Sequence, residues 1–335
     1  MDLAATLELT PEIKAATDHI FPKVRHVLTE PEWHLLAPYV DAINRLKRER
    51  DAVVLAHNYM TPDIYHGVAD ITGDSLALAR EAARTDARVL VVAGVHFMAE
   101  TAKIVNPERT VICPDLGAGC SLASALTGAD VRRLREQHPG APVVVYVNTT
   151  AEVKAEADVC CTSGNAVKVV EALGVPKVIM IPDRWLARFV AERTEVEVVT
   201  WEGACEVHER FSGRDVERYR RGYDGLTVIA HPECPDDVQH AADFVGSTAE
   251  MIRFARDRRP ERLLMLTECS MSDNLAAELP EVQMVRPCNL CPHMKRITLE
   301  KILRSLHTLE PRIEIEPDLA ARARRSVDRM LAIGA

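Results

Sequence analysis

The stretch AVVLAHNY, residues 52–59, has a pattern that recurs along the whole chain. It is a short apolar run, rich in β-branched residues, that ends in polar side chains. Two later stretches, PVVVYVNT at 142–149 and LTVIAHPE at 226–233, have the same form. Short apolar runs that alternate with helical patterns are typical of strands buried in parallel sheets. The sequence therefore predicts that one α/β unit occurs three times.

Each predicted unit contains four strand candidates in the same order, which makes twelve candidates in all. The second strand of each unit ends in a small hydroxyl residue before a helix: Ser75 in GDSL, Ser163 in TSGN, and Ser247 and Thr248 in GST. The third ends in GVHFMAET, PDRWLA or TECSMSDNL. The fourth ends in a cysteine: Cys120, Cys205 or Cys291. This order predicts three parallel four-stranded sheets.

The spacing of these features supports the repeat. Tyr146 follows His57 by 89 residues and His231 follows Tyr146 by 85, while the cysteines Cys120, Cys205 and Cys291 are separated by 85 and 86. A fixed period indicates homologous units. We therefore predict an α/β fold of three homologous units related by a pseudo-threefold axis, at residues 51–128, 129–212 and 213–300. Residues 1–50 and 301–335 are predicted to be helical segments that pack as scaffold, with a dimer contact as the alternative.

The composition excludes several classes of protein. The chain of 335 residues has a formal charge of −9 and only 4% aromatic residues, so a nucleic-acid partner is not expected. Its start, MDLAATLELTPEIKAA, lacks a basic leader, and no apolar run approaches the roughly 20 residues of a membrane span. We expect a cytoplasmic protein. Nine cysteines, an odd number, do not suit a disulfide framework, so some of them are expected to be ligands.

The three cysteines at the ends of the fourth strands are the candidate metal ligands. Active groups of parallel α/β units lie beyond the carboxyl ends of the strands, so the pseudo-threefold axis would bring Cys120, Cys205 and Cys291 to one central cavity. Three thiolates suit either zinc or an iron-sulfur cluster. In RPCNLCPHMKR, residues 286–296, Cys288 is then a bystander that could lie close enough to Cys291 for a disulfide. The remaining cysteines are expected to be structural: Cys113, Cys160, Cys161, Cys234 and Cys269.

The hydroxyl residues of the second loops have two interpretations. At the start of a helix, free backbone N–H groups and the helix dipole favour an anion. Three such loops around one metal would suit a substrate set with several carboxylates or a phosphate. The alternative is that these residues are ordinary helix caps.

The polar tips of the first strands are candidates for substrate contact and proton transfer. His57 and His231 occupy matching tips. Glu233 is the carboxylate on such a tip, so it is the candidate general acid or base. Tyr59 and Tyr146 are candidates for donating or relaying protons.

The motifs taken together resemble one known family. AHNY, GDSL, AGCSLA, YVNTTAEVKA, TSGNAV, WEGACEVHERF, HPEC, GST and CPHMKRITLE occur in this order between about residues 40 and 305, and together they resemble the quinolinate synthases of NAD biosynthesis. The resemblance implies a pseudo-threefold α/β fold of three αβα sandwich domains with parallel four-stranded sheets around one central 4Fe-4S cluster. It also implies a transferase activity, the condensation of iminoaspartate with dihydroxyacetone phosphate to quinolinate, with loss of phosphate and water.

The same resemblance implies roles for individual residues. Cys120, Cys205 and Cys291 would hold the cluster, leaving one iron open to assist the dehydration. Tyr59 and Glu233 would be catalytic. Substrate contacts would come from His57, Ser75, Tyr146, Asn148, Ser163, His231, Glu233 and Thr248. An L-aspartate-oxidising enzyme is the expected source of the imine.

Two other functions stay open at this point. In the first, Cys288 and Cys291 form the working dithiol of a non-catalytic metal or redox module, and Cys120 and Cys205 are core residues. In the second, the same scaffold carries a zinc hydrolase. The metal content and the effect of replacing Cys288 distinguish these alternatives from the iron-sulfur enzyme.

Overall fold

The structure is a computed structural model that describes residues 7–333, so residues 1–6 and 334–335 of the predicted terminal segments lie outside the described residues. Twelve strands run through the described part of the chain. They are β1 Ala52–His57, β2 Ile71–Gly73, β3 Val89–Ala93, β4 Thr110–Ile112, β5 Val143–Tyr146, β6 Val159–Cys161, β7 Lys177–Ile181, β8 Glu197–Thr200, β9 Leu226–Ala230, β10 Phe244–Val245, β11 Arg262–Leu266 and β12 Gln283–Val285.

Helices connect the strands and extend the chain at both ends. They are α1 Pro11–Thr17, α2 Phe21–Val24, α3 Glu30–Arg50, α4 Pro62–Gly67, α5 Ser75–Arg84, α6 His96–Val105, α7 Gly128–Gln137, α8 Ala151–Ala155, α9 Ala166–Ala172, α10 Arg184–Ala191, α11 Gly213–Gly222, α12 Asp236–Ala241, α13 Thr248–Arg258, α14 Ser270–Ala276, α15 Leu299–Thr308 and α16 Pro317–Ile333. The long α3 begins at a capping box, in which Thr29 and Glu32 satisfy each other's backbone N–H groups.

The strands form three four-stranded sheets with one topology. The orders are β2-β1-β3-β4, β6-β5-β7-β8 and β10-β9-β11-β12, and every pairing of these strands is parallel. The three parallel sheets predicted from the repeat are thus confirmed, and they are consistent with three αβα domains. The predicted domain boundaries stay a prediction.

Burial explains why the central strands are apolar throughout rather than alternating. All four residues of β5 and all five of β3 are buried. A strand covered on both faces must be apolar at every position, as is usual in parallel sheets between helices. The polar residues therefore appear only where these strands end, at the carboxyl edge of each sheet.

A second repeat, at the level of side chains, fixes the geometry of each unit. An aspartate before the second strand accepts a hydrogen bond from the backbone N–H of the first strand: Asp70 from Val54 at 2.8 Å, Asp158 from Val143 at 2.7 Å, and Asp243 from Val228 at 2.7 Å. The same three carboxylates pair with a basic residue of the helix before the first strand: Lys47, Arg135 or Arg220. We call each of these sets an aspartate clamp. Each clamp joins a helix and two strands, because one carboxylate can accept several charge-assisted hydrogen bonds.

The C-terminal helix α16 packs as scaffold. It contacts α8, α9 and β6 of the second predicted unit and α6 of the first. Ser326, which is fully buried, donates hydrogen bonds to the carbonyl oxygens of Lys154 and Ala323. This helix thus covers apolar surface that the second unit's own helices leave open.

Among residues 7–333, the structure contains no helix that combines the length and the apolar character needed to cross a membrane.

Candidate functional site

One cavity lies at the carboxyl ends of the strands of all three sheets, with a volume of about 730 Å³ including its open mouth. Every residue predicted to form the site contributes to its lining: His57, Tyr59, Ser75, Cys120, Tyr146, Asn148, Ser163, Cys205, His231, Glu233, Thr248 and Cys291. The repeat therefore brings together residues that are up to 234 positions apart in the chain. Their individual roles remain predictions.

Glu233 is the most highly connected of these residues. Its side chain is buried; Oε1 accepts hydrogen bonds from Tyr146 Oη at 2.6 Å and Asn148 Nδ2 at 3.3 Å, and Oε2 lies 2.8 Å from Nδ1 of His208. Burial alone would raise the pKa of Glu233, but the nearby His208 and the hydrogen bond from Tyr146 lower that pKa by more. Glu233 is therefore a carboxylate at neutral pH.

The histidines and tyrosines at the strand ends are neutral by the same reasoning. Burial lowers the pKa of His57 and of His231 to about 3, against the opposing effect of Glu233. Burial, together with Glu233, raises the pKa of Tyr59 and of Tyr146. At neutral pH these strand ends therefore offer the carboxylate of Glu233, two uncharged imidazoles and two protonated phenols.

A chain of hydrogen-bonding groups links Tyr59 to Glu233. The Tyr59 hydroxyl lies 2.5 Å from Thr267 Oγ1, which lies 3.0 Å from His208 Nε2, and His208 Nδ1 faces Glu233. Both Thr267 and His208 are buried. The sequence reasoning missed these two residues, although they stand in TECSMSDNL and WEGACEVHERF. Neither residue type recurs at the equivalent position of the other two units, so the repeat did not point to them.

A second buried carboxylate was also missed. Glu268, at the carboxyl end of β11, has no exposed surface and lines the same cavity. Its Oε1 lies 2.9 Å from Lys295 Nζ and accepts a hydrogen bond from the backbone N–H of Cys291 at 3.3 Å. Lys295 also donates to the carbonyl oxygen of Tyr59 at 2.6 Å. Glu268 therefore supports the loop that carries Cys291.

Three of the four hydroxyl residues lie at helix starts, as expected, whereas Ser163 precedes α9 by three residues, and most of the four are not the caps. The caps of α5 and α13 are Asp74 and Ser247, so Ser75 and Thr248 are the first helical residues. Thr248 Oγ1 accepts a hydrogen bond from Asn58, and Ser163 Oγ lies 3.2 Å from His231 Nε2. The cap interpretation thus holds for Ser247, and the other three hydroxyl residues face the cavity.

The three candidate metal ligands share one environment. Cys120, Cys205 and Cys291 line the cavity, and burial raises the pKa of each thiol, that of Cys120 to about 12. A buried thiol ionises readily only when a bound cation compensates the charge. The three thiols, one from each unit, therefore fit a metal group whose binding releases the thiol protons.

The structure places Cys288 beside a cysteine that the sequence did not indicate: its sulfur lies 2.8 Å from the sulfur of Cys269. Cys288 is exposed, whereas Cys269 is buried. The other cysteines expected to be structural are fully buried: Cys113, Cys160, Cys161 and Cys234.

One group of side chains in the described residues also has the spacing of a single-ion site. Ligand atoms of Cys205, His208 and Glu233 all lie within 4.8 Å of one another. His208 and Glu233 face each other in this group. Only one of the three predicted cysteines belongs to it, which is expected if the three thiols instead surround a larger, multi-atom group.

Comparison with known proteins identifies the family. The family model described as quinolinate synthetase A protein matches residues 41–332. Quinolinate synthase 2 of Mesorhizobium japonicum is 56% identical over 96% of this chain and 99% of its own length. Quinolinate synthases of Caulobacter vibrioides and Xylella fastidiosa are 54% and 60% identical, covering 96% and 88% of this chain and 89% and 87% of their own lengths. With this coverage, and with the same ordered motifs on three parallel sheets, the chain belongs to the quinolinate synthase family.

Proposed function

We propose that the protein is a quinolinate synthase of NAD biosynthesis, a transferase that condenses iminoaspartate (iminosuccinate) with dihydroxyacetone phosphate and releases phosphate and water. The observation that carries this proposal is the single cavity lined by all twelve predicted site residues. The names of the relatives support the same activity.

The substrates would be recognised without a cationic side chain. Within the described residues, the cavity lining includes neither lysine nor arginine. Carboxylate and phosphate groups would instead meet hydroxyl groups such as those of Ser75 and Thr248, the neutral His57 and His231, and the amino-terminal ends of helices. Asn148 Oδ1, buried with no hydrogen-bond partner in residues 7–333, would accept a hydrogen bond from a substrate N–H or O–H.

Glu233 would act as the base. It is ionised at neutral pH, and a positioned base must start without the proton that it takes. Tyr59, whose phenol is protonated, would donate a proton and recover it through Thr267 and His208. Tyr146 would hold Glu233 in place through its 2.6 Å hydrogen bond.

A 4Fe-4S cluster would be held by Cys120, Cys205 and Cys291. The fit rests on the donor set: three partly buried thiols, one from each unit, in one cavity. Three cysteines leave one iron of a cubane cluster without a protein ligand. When bound, such an iron would supply Lewis-acid assistance to the departure of hydroxide.

The chemistry of the imine also bears on partners. Iminoaspartate hydrolyses in water, so an L-aspartate-oxidising enzyme would have to supply it as it is used. The buried walls of the cavity would protect the bound imine from water.

The test combines metal analysis with a product assay. The protein, purified without oxygen, is expected to contain iron and sulfide in equal amounts and to form quinolinate from dihydroxyacetone phosphate and freshly prepared iminoaspartate. Cys120→Ala should lose both properties, and Cys288→Ala, the matched control in an exposed thiol, should keep both. A cluster that survives Cys120→Ala, or is lost in Cys288→Ala, would contradict the ligand assignment.

A second candidate is a single-metal enzyme. The spacing of Cys205, His208 and Glu233 favours one ion such as zinc, whose ligands are cysteine, histidine and carboxylate. This function predicts zinc without sulfide, retained in Cys120→Ala and lost in His208→Ala.

A further inference from the structure

The loops that carry the three cysteines are joined to one another by the residues that follow the cysteines. Ser121, directly after Cys120, donates a hydrogen bond from Oγ to the carbonyl oxygen of Ala204 at 3.2 Å. The same Oγ accepts one from the backbone N–H of Glu206 at 3.1 Å. One hydroxyl thus ties the Cys120 loop to both sides of Cys205.

The connection continues to the third loop. The Glu206 carboxylate lies 2.8 Å from Nε2 of His293, two residues after Cys291. The imidazole also packs against the first loop, because a Cβ built on Gly119 would lie 3.5 Å from His293 Nδ1. His293 therefore sits where the loops of all three units meet.

The first and third cysteine loops are also joined directly. Asp115, at the start of the first loop, pairs with Arg296 at 3.2 Å and with Lys301 at 2.7 Å, and both follow Cys291 in the chain. Each pair of cysteine loops is therefore joined directly. Ser121, Glu206 and His293 also line the cavity beside the thiols.

We propose that Ser121, Glu206 and His293 are positioning residues, here called the loop bridge, which hold the three cysteine loops in register and limit the loss of iron from the bound group. This inference rests on the proposed function, because it takes the three cysteines as ligands. Residues that orient ligands from outside typically change metal affinity by about 10- to 100-fold when they are replaced. The loop bridge has a larger role than usual because the three cysteine ligands that it holds in register belong to three separate units.

The Glu206–His293 contact is the part of the bridge that substitution can isolate. Glu206→Ala removes the carboxylate but keeps the backbone N–H that Ser121 binds, and Glu206→Gln keeps an oxygen that can accept from His293. His240 and Glu192 form a matched control: an exposed histidine–glutamate pair at 3.3 Å that also joins the second and third predicted units, away from the cysteines.

The first measurement is the rate of cluster loss. The anaerobic protein is mixed with excess iron chelator, and the decay of the cluster's visible absorption is followed. Glu206→Ala and His293→Ala should each lose it about 10-fold faster than the parent, the double variant no faster than either, and Glu206→Gln more slowly than Glu206→Ala. His240→Ala should match the parent. Parent-like rates in the single variants, or a double variant whose effect is the product of the two, would overturn the bridge.

The second measurement does not depend on the cluster. In metal-free protein, iodoacetamide should modify Cys205 faster in Glu206→Ala and His293→Ala than in the parent and in His240→Ala, as located by mass spectrometry. An unchanged rate overturns the bridge. A parent that contains no iron and sulfide refutes the proposed cofactor, and the alkylation rates then decide the bridge separately.

Discussion

At the scale of single residues, the strand ends combine the carboxylate of Glu233 with neutral histidines and tyrosines. Glu233 keeps its charge because His208 and the hydrogen bond from Tyr146 favour the carboxylate, although burial opposes ionisation. At neutral pH this carboxylate starts without a proton, whereas the surrounding phenols start with theirs.

Replacing Glu233 by glutamine should remove the base and preserve the fold. The amide oxygen can still accept from Tyr146, so the side chain keeps its place. We expect kcat for quinolinate formation to fall about 10²- to 10⁴-fold. Steady-state kinetics on protein with full iron content measures this, with the exposed Glu202→Gln as control. A loss of only a few-fold would show that another group accepts the proton.

The buried histidines predict a pH dependence of stability. Their folded-state pKa of about 3 lies below the ordinary value of 6.5, so between these values the unfolded chain binds protons that the folded protein excludes. The free energy of unfolding should therefore decrease as the pH falls through this window, by about 1.4 kcal/mol per pH unit for each histidine.

Urea unfolding of metal-free protein between about pH 4.5 and pH 6 measures this slope. His231→Gln should make the slope shallower by about 1.4 kcal/mol per pH unit, and His19→Gln, at an exposed position, should leave it unchanged. A slope in His231→Gln equal to that of the parent would mean that His231 is protonated in the folded state.

At the scale of elements, the features that could be predicted from the sequence are those that recur in all three units. The first-strand tips and the terminal cysteines recur in register, so each lies at the carboxyl edge of its sheet, and the cavity shared by the three sheets brings them together. His208 and Thr267 could not be found this way, because neither residue type recurs at the equivalent position of the other units. Glu268 has a carboxylate counterpart, Asp183, in the second unit, which comparison of TECSMSDNL with PDRWLA could have shown. The sulfur contact between Cys269 and Cys288 depends on how a loop folds back, which spacing does not reveal.

The aspartate clamps predict that the same substitution at equivalent positions of different units lowers the free energy of unfolding by different amounts. Lys47, the partner of Asp70, is only 9% exposed, whereas Arg220, the partner of Asp243, is 37% exposed and donates to two carbonyl oxygens besides. Asp70→Ala leaves the buried charge of Lys47 without a carboxylate partner, although its hydrogen bond to the carbonyl oxygen of Val68 remains, and should cost about 3–5 kcal/mol. Asp243→Ala should cost about 1–3 kcal/mol.

Denaturant unfolding of the two variants measures the difference. Asp257→Ala, at an exposed position on α13, should change stability by less than about 0.5 kcal/mol. Equal costs for Asp70→Ala and Asp243→Ala would mean that the bond to the strand N–H, which the clamps share, carries the stability rather than the ion pair.

At the scale of the whole molecule, three like sheets around one cavity make the site a junction. No unit contains the site by itself, because the thiols, the base and the hydroxyl residues come from different sheets. A group bound at the junction therefore also holds the units together. Binding energy that is available only to the folded protein adds to its stability.

Removal of the bound metal group should consequently destabilise the entire chain. The metal-free protein should melt at a lower temperature than the anaerobic holoprotein, because each thiol ligand belongs to a different unit. Cys120→Ala, Cys205→Ala and Cys291→Ala should all melt near the metal-free parent, since losing any one ligand loses the group. For the same reason, combining two of these substitutions should lower the melting temperature little further than one does.

Calorimetry under anaerobic conditions measures this, with the exposed Cys288→Ala expected to melt as the parent does. Melting temperatures that fall in proportion to the number of cysteines replaced would instead indicate that the thiols stabilise the units separately, and that no shared group joins them.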